Sequence, residues 1–109
     1  MATTYKVLGQ SNPAATTATT LYTVPAASSA VVSTISVCNQ ASTAATYRIA
    51  VRPAGAALAA QHYIVYGATV PASDSVWLTG GITLAATDVV TIYASSANLS
   101  FNAYGSEIA

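Results

Sequence analysis

Charge is the scarcest property of this sequence. Only 6% of its 109 residues are charged, against roughly 25% in an ordinary soluble domain. Three basic and three acidic residues leave a formal net charge of zero, so little electrostatic repulsion keeps copies apart. A surface of Ser, Thr, Asn and Ala that simply lacks charge is one explanation. We favour the other, a subunit that lives in an assembly, because charged residues are depleted from buried contact surfaces.

The sequence also lacks a basic patch and a long apolar run. Lys6, Arg48 and Arg52 are its only basic residues, too few to neutralise a run of phosphates, so we expect no nucleic-acid partner. No stretch approaches the ~18 consecutive apolar residues of a membrane span, so we expect no membrane partner. The first residues contain no apolar core of a secretory signal, which predicts synthesis and assembly in a cytoplasm.

Groups for catalysis and metal binding are equally sparse. The single cysteine, Cys38, cannot form an internal disulfide, and with the single histidine, His62, it is no metal site. Cys38 is expected to be a buried thiol, and His62 to lie on a strand face. Asp74 and Asp88 fall in turns, where Asp bonds nearby backbone N–H groups, and Glu107 is expected to be exposed. We therefore predict no enzyme, no catalytic residue, no metal and no cofactor.

What the sequence contains is a succession of short runs rich in Val, Ile, Thr and Tyr, separated by Gly, Pro, Asn and Ser-Ala breaks. The predicted strands are residues 4–8, 19–24, 30–39, 46–52, 61–66, 75–78, 82–84, 88–94 and 99–104. Residues 9–18 are predicted to be a loop, residues 53–59 a loop or one helical turn, and Gly80-Gly81 a turn. The pattern predicts one all-β domain over residues 1–109. It is expected to be a β-sandwich, jelly-roll or Ig-like, of about eight short antiparallel strands.

Period-two alternation assigns faces within these strands. In the third strand, Val31, Ile35 and Val37 are expected to share one face, and Val32 and Cys38 the other. In the fourth, alternation places Tyr47, Ile49 and Val51 opposite the two arginines.

The aromatic residues raise a second functional class. Seven tyrosines and Trp77 could stack on sugar rings, so a glycan- or receptor-binding module is an alternative to a structural subunit. Tyr63 and Tyr66 fall on opposite faces under strict alternation, which argues against a single platform. As intersubunit contacts we predict Tyr5, Lys6, Arg48, Arg52, Tyr63 and Trp77, with residues 1–18 acting as a contact arm or loop.

Several segments resemble small virion structural proteins of tailed bacteriophages, of the type with cyanobacterial and other aquatic hosts. They are residues 21–25 (LYTVP), 30–39 (AVVSTISVCN), 45–52 (ATYRIAVR), 82–84 (ITL), 87–90 (TDVV), 93–95 (YAS) and 101–107 (FNAYGSE). The resemblance covers nearly the whole chain. It implies a β-sandwich subunit present in many copies of a virion assembled in the host cytoplasm. The implied role is capsid decoration or cement, or alternatively a tail baseplate or fibre-attachment component. Its partners would be major capsid or tail proteins and copies of itself.

Overall fold

The computed structural model describes residues 2–109, which form two four-stranded antiparallel sheets packed face to face. The strands are β1 (Thr3–Ser11), β2 (Thr19–Thr23), β3 (Ser29–Asn39), β4 (Ala45–Arg52), β5 (Tyr63–Val70), β6 (Ser75–Leu84), β7 (Val89–Ala94) and β8 (Leu99–Ile108). Two short 3-10 turns, Pro53–Gly55 and Ala60–His62, lie between β4 and β5. Sheet one has the strand order β1-β8-β3-β6, and sheet two has the order β2-β7-β4-β5.

The strand order is that of a jelly roll. The chain changes sheet at every connection except the one between β4 and β5, which gives the paired Greek keys of that architecture. An Ig-like sandwich would keep its first two strands in one sheet, whereas β1 and β2 lie in different sheets here. The predicted all-β sandwich is therefore confirmed, and its topology is the jelly-roll one.

The core lies between the two sheets and is built from alternate strand positions. Its largest fully buried apolar side chains are Phe101, Ile35, Ile49, Ile92 and Leu99. Burying each contributes about 1.5–3 kcal/mol. Asn39 is buried among them, and its side-chain amide donates to the carbonyl oxygens of Thr43, Val70 and Pro71, which offsets the cost of removing that amide from water.

Gly80 and Gly81 form a bulge inside β6, so the predicted turn between two short strands is wrong. Both glycines face the single residue Ser33 of β3, and Gly81 has a φ of 60°. One common type of bulge places a glycine at positive φ, as tight hairpin turns do, so the glycines alone do not distinguish the two.

Strand β5 contains two bulges and extends beyond its predicted end at Tyr66. Gly67, with a φ of 78°, is an extra residue without a partner on β4, because the residues on either side of it pair with the adjacent residues Tyr47 and Arg48. The strand continues to Val70. A second extra residue, Ile64, lies nearer the start of the strand. The start itself differs from prediction, because residues 61 and 62 belong to a 3-10 turn.

A bulge at Ser33 in β3 shifts the faces of that strand. Val32, Ile35 and Val37 all point into the core, whereas alternation placed Val32 opposite the other two. Cys38 consequently lies on the outward face and is half-buried, not fully buried as predicted.

The terminal strands are longer than their apolar runs suggested. Strand β1 extends to Ser11 and pairs with β8 along its length, with a bulge at Leu8. The predicted loop therefore begins three positions later than expected, at residue 12. Ala2 and Ala109 exchange backbone hydrogen bonds of 3.1 and 3.0 Å. Residues 3–11 of the proposed contact arm are an edge strand of sheet one, and residue 1 lies outside the described residues.

Candidate functional site

Sheet two presents a row of three side chains across its outward face. The antiparallel register places Arg48 of β4 directly between Tyr66 of β5 and Tyr93 of β7. The Arg48 guanidinium carbon lies 4.2 Å from the ring centroid of Tyr66 and 4.3 Å from that of Tyr93. Two cation–π contacts therefore hold this guanidinium between aromatic rings.

Tyr63 joins this row, contrary to the sequence prediction. The extra residue Ile64 breaks the two-residue period, so Tyr63 and Tyr66 emerge on the same face. Their rings meet edge to face, with centroids 4.9 Å apart and an interplanar angle of 84°. We call Arg48, Tyr63, Tyr66 and Tyr93 the Arg48 cluster.

An open cleft of about 620 Å³ lies beside the Arg48 cluster. Tyr63 and Tyr66 form one wall, and Leu58, Ala59 and Ala60 form the other. The second wall belongs to the segment between β4 and β5, which the sequence left as a loop or one helical turn. It contains two 3-10 turns instead.

The three basic side chains differ in how their donors are used. Arg52 donates from Nε to Thr91 Oγ1 at 3.0 Å, and from Nη1 to the backbone oxygens of Gly55 and Ala56. Lys6 Nζ lies 3.2 Å from Glu107 Oε1. Arg48 makes no hydrogen bond or ion pair to any other residue among 2–109. Its N–H groups thus have no acceptor within this part of the chain, and Arg48 as a whole is half-buried.

Sheet one has a different outward face, which we call the neutral face. Among the residues that register assigns to it are Tyr5, Val7, Gln10, Thr34, Ser36, Cys38, Trp77, Thr79, Asn102 and Tyr104. Trp77 is 62% exposed and Tyr5 is 83% exposed. The Trp77 and Tyr104 rings stack at a centroid distance of 6.3 Å with planes 16° apart, and a depression of about 540 Å³ opens beside Tyr5 and Tyr104.

None of the charged side chains among residues 2–109 projects from the neutral face. The two arginines lie on sheet two, and Asp74 and Asp88 lie in turns. Lys6 and Glu107 meet on the core-facing side of sheet one, where Glu107 also accepts a 2.6 Å hydrogen bond from the Tyr22 hydroxyl. The expectation that Glu107 is exposed is therefore wrong, since its side chain retains only 18% exposure.

The remaining titratable groups serve the backbone. Asp88 accepts from the N–H groups of Ala54 and Ala85, both at 2.8 Å, and Asp74 accepts from the N–H of Ser75 at 2.7 Å. This confirms the predicted turn role of both aspartates. His62 is not on a strand face as predicted; it ends a 3-10 turn, and its Nδ1 accepts from the N–H of Ala59.

Two further features of residues 2–109 concern clusters of metal-binding side chains and membrane-spanning helices. No three His, Cys, Asp or Glu side chains in this part of the chain come together as a metal site would require. No helix within it is long and apolar enough to cross a membrane.

The six residues proposed as intersubunit contacts fall into three places. Tyr5 and Trp77 share the neutral face, Arg48 and Tyr63 share the Arg48 cluster, and Lys6 and Arg52 bond within the chain. Their role between subunits stays a prediction. Sequence reasoning missed the contributions of Tyr66, Tyr93 and Tyr104, because cross-strand neighbours depend on register and leave no local signal in the sequence.

Neither a protein-family model nor a curated protein matches the chain, and no solved structure matches it. The jelly roll itself occurs in capsid proteins, lectins and cupins, so the fold does not select among functions. The two outward faces are therefore the basis for a functional assignment.

Proposed function

We propose that this chain is a non-enzymatic structural subunit of a tailed-phage virion. In this role it is a capsid decoration or cement protein that stabilises the particle by packing against neighbouring subunits. The observation that carries the packing role is the neutral face, an outward sheet surface without a charged side chain among the described residues. The phage setting rests on the sequence resemblance.

The chemistry of the neutral face suits a contact surface. Burying hydroxyl and amide groups costs far less than burying unpaired charges, and aromatic residues such as Tyr5 and Trp77 are enriched in protein interfaces. A stable contact buries about 1,600 Å² in total, so a subunit of this size would commit much of one sheet to it. Repetition over a symmetric array would turn modest pairwise contacts into lasting attachment.

The use of the titratable groups supports a role without catalysis. Asp74, Asp88 and His62 accept hydrogen bonds from backbone N–H groups, and Glu107 bonds Tyr22 and Lys6. A general acid or base needs a position from which it reaches a substrate proton, and these four groups instead stabilise turns and the contact between the sheets.

Purified particles from cells that carry the encoding genome provide the test. The chain should be found by mass spectrometry in particles that remain intact through a density gradient, in many copies per particle. Immunogold labelling should mark the head surface. Label on the tail would instead favour the alternative location, a baseplate or fibre-attachment component. Absence from washed particles, together with a monomeric mass in solution at all concentrations, would refute the structural role.

A second candidate function is recognition of a glycan or receptor. One specific observation favours it: the bulge at Ile64 gathers Tyr63 and Tyr66 on one face, beside a cleft and an arginine without a bonding partner among the described residues. The two functions use opposite faces of the sandwich, so one subunit could pack through sheet one and bind through sheet two.

A further inference from the structure

We propose that the cleft beside the Arg48 cluster binds an acidic saccharide, through a sugar ring that carries a carboxylate. This inference rests on the second candidate function and names its ligand class. It is independent of packing through the neutral face, which lies on the other sheet.

The walls of the cleft fit a sugar ring. Its volume of about 620 Å³ falls within the roughly 300–1,000 Å³ of small-molecule sites. Tyr66 is 66% exposed even though Arg48 covers part of its ring, and it also lines the cleft. Aromatic rings present flat apolar surfaces with a polar hydroxyl at one end. The C–H face of a pyranose can pack on such a surface while its hydroxyl groups bond at the rim.

Arg48 supplies the selectivity for a negative charge. The ring centroids of Tyr66 and Tyr93 lie 4.2 and 4.3 Å from its guanidinium carbon, and its N–H groups donate to no other residue among 2–109, so they are unused donors. A carboxylate matches two of these donors in a bidentate pair. No carboxylate of the described chain takes that place, because Asp74, Asp88 and Glu107 are bonded elsewhere.

A carboxylate fits this site better than a phosphate. The site offers one guanidinium, and the other two basic side chains bond within the chain, Lys6 to Glu107 and Arg52 to Thr91 and its own loop. A phosphate group carries about −1.5 to −2 charges at neutral pH, which one arginine does not balance. A singly charged carboxylate is balanced by Arg48 alone.

Tyr66 is the residue shared by the two halves of the site, because its ring contacts Arg48 and also borders the cleft. In our proposal the sugar ring packs beside Tyr66, and a carboxylate attached directly to that ring, as in a uronic acid, extends past the tyrosine to Arg48. A neutral sugar would leave the half-buried guanidinium without an acceptor, at a cost in binding.

The test uses the full chain and two matched probes. Oligogalacturonate and its methyl ester have the same rings and differ in charge, and calorimetric titration measures the affinity of each. We expect oligogalacturonate to bind at least about tenfold more tightly than the ester, because the ester loses the charge-assisted pair. Added salt should weaken only the charged probe. Companion titrations use oligomers of glucuronate and mannuronate, and sialyllactose.

Variants locate the binding on the protein. Arg48→Gln should lose about tenfold or more in affinity for the acidic probe and remove the preference over the ester. Tyr66→Ala should weaken both probes. Trp77→Ala, on the opposite sheet, is the matched control and should bind like the unaltered chain. Circular dichroism and thermal unfolding would establish that each variant is folded before its titration is interpreted.

Three outcomes would overturn the proposal. They are equal affinity for the acid and the ester, full retention of binding by Arg48→Gln, and no detectable millimolar binding of any acidic sugar in the panel. Tighter binding of inorganic phosphate or of a peptide carboxylate than of every sugar would also overturn it. None of these results alters the particle and solution-mass measurements that test the structural role.

Discussion

The Tyr22 hydroxyl donates a 2.6 Å hydrogen bond to Oε2 of Glu107 and so joins β2 of sheet two to β8 of sheet one. Lys6 bonds the other carboxylate oxygen at 3.2 Å. The hydrogen bond from Tyr22, with a further contribution from Lys6, lowers the pKa of the Glu107 carboxyl group. Burial, together with the same bond, raises the pKa of the Tyr22 phenol well above its ordinary value.

Stability should therefore decline at both ends of the pH range. Because the pKa of Glu107 is lowered by folding, its contribution is present above roughly pH 4.3, the ordinary pKa of Glu, and is lost as pH falls toward the folded pKa. Because the pKa of Tyr22 is raised, its contribution is complete below roughly pH 10 and is lost as pH rises further. Denaturant unfolding across a pH series measures both limbs.

Two variants test the two limbs. Glu107→Gln should flatten the acid limb. Tyr22→Phe should remove the alkaline limb and, because its hydrogen bond is the main cause of the lowered Glu107 pKa, reduce the acid limb as well; it should cost about 1–2 kcal/mol at neutral pH, the worth of a hydrogen bond to a charged group. A Tyr22→Phe chain with unchanged stability at neutral pH and an unchanged alkaline limb would show that this bond contributes nothing to the fold.

Arg52→Ala should release the segment between β4 and β5 from sheet two. The side chain bonds Thr91, Gly55 and Ala56, so its removal leaves acceptors unpaired and should cost about 1–3 kcal/mol of unfolding free energy. Limited proteolysis should then cut within residues 53–62. Arg48→Ala is the comparison, with a smaller stability loss and no new cleavage. Identical proteolysis of the two variants would contradict this role of Arg52.

Gly105→Ala should be far more damaging than Gly80→Ala. A Cβ atom at Gly105 would collide with the backbone carbonyl of Val31 on the neighbouring strand, whereas one at Gly80 would meet nothing within 4 Å. Overpacking of this kind costs about 1–3 kcal/mol or more, and the Gly80 change should stay within about 0.5 kcal/mol. Thermal unfolding of the two variants checks the difference. Equal losses would mean that β3 and β8 can separate locally without cost.

The neutral face should govern association but not folding. Replacing Tyr5 and Trp77 with Ser removes two exposed aromatic groups, so unfolding free energy should change by less than about 1 kcal/mol. Self-association, or retention on particles, should fall by about tenfold or more, since aromatic residues dominate interface energies. Tyr66→Ser is the matched control on the other sheet. Sedimentation velocity over a concentration series measures the effect, and an unchanged mass distribution would count against the neutral face as the contact surface.

Local patterns in the sequence predicted much of the fold. The all-β class, the roles of Asp74 and Asp88 in turns and the outward pair Arg48 and Arg52 follow from residue type and short-range alternation, because these depend on neighbours along the chain. The bulges at Ser33 and in β5 and β6 did not follow. A bulge depends on the partner strand, and each one reverses the faces of all residues beyond it.

The sequence by itself determined a nearly uncharged chain that folds as β-strands. Only the tertiary structure decided where those residues meet. Tyr66, Arg48 and Tyr93 come from three strands and form one row because the jelly roll places β4 between β5 and β7. The neutral face likewise exists because strand pairing collects the uncharged outward positions of four separate strands. Contacts between distant strands depend on topology and register, which no short stretch of sequence specifies.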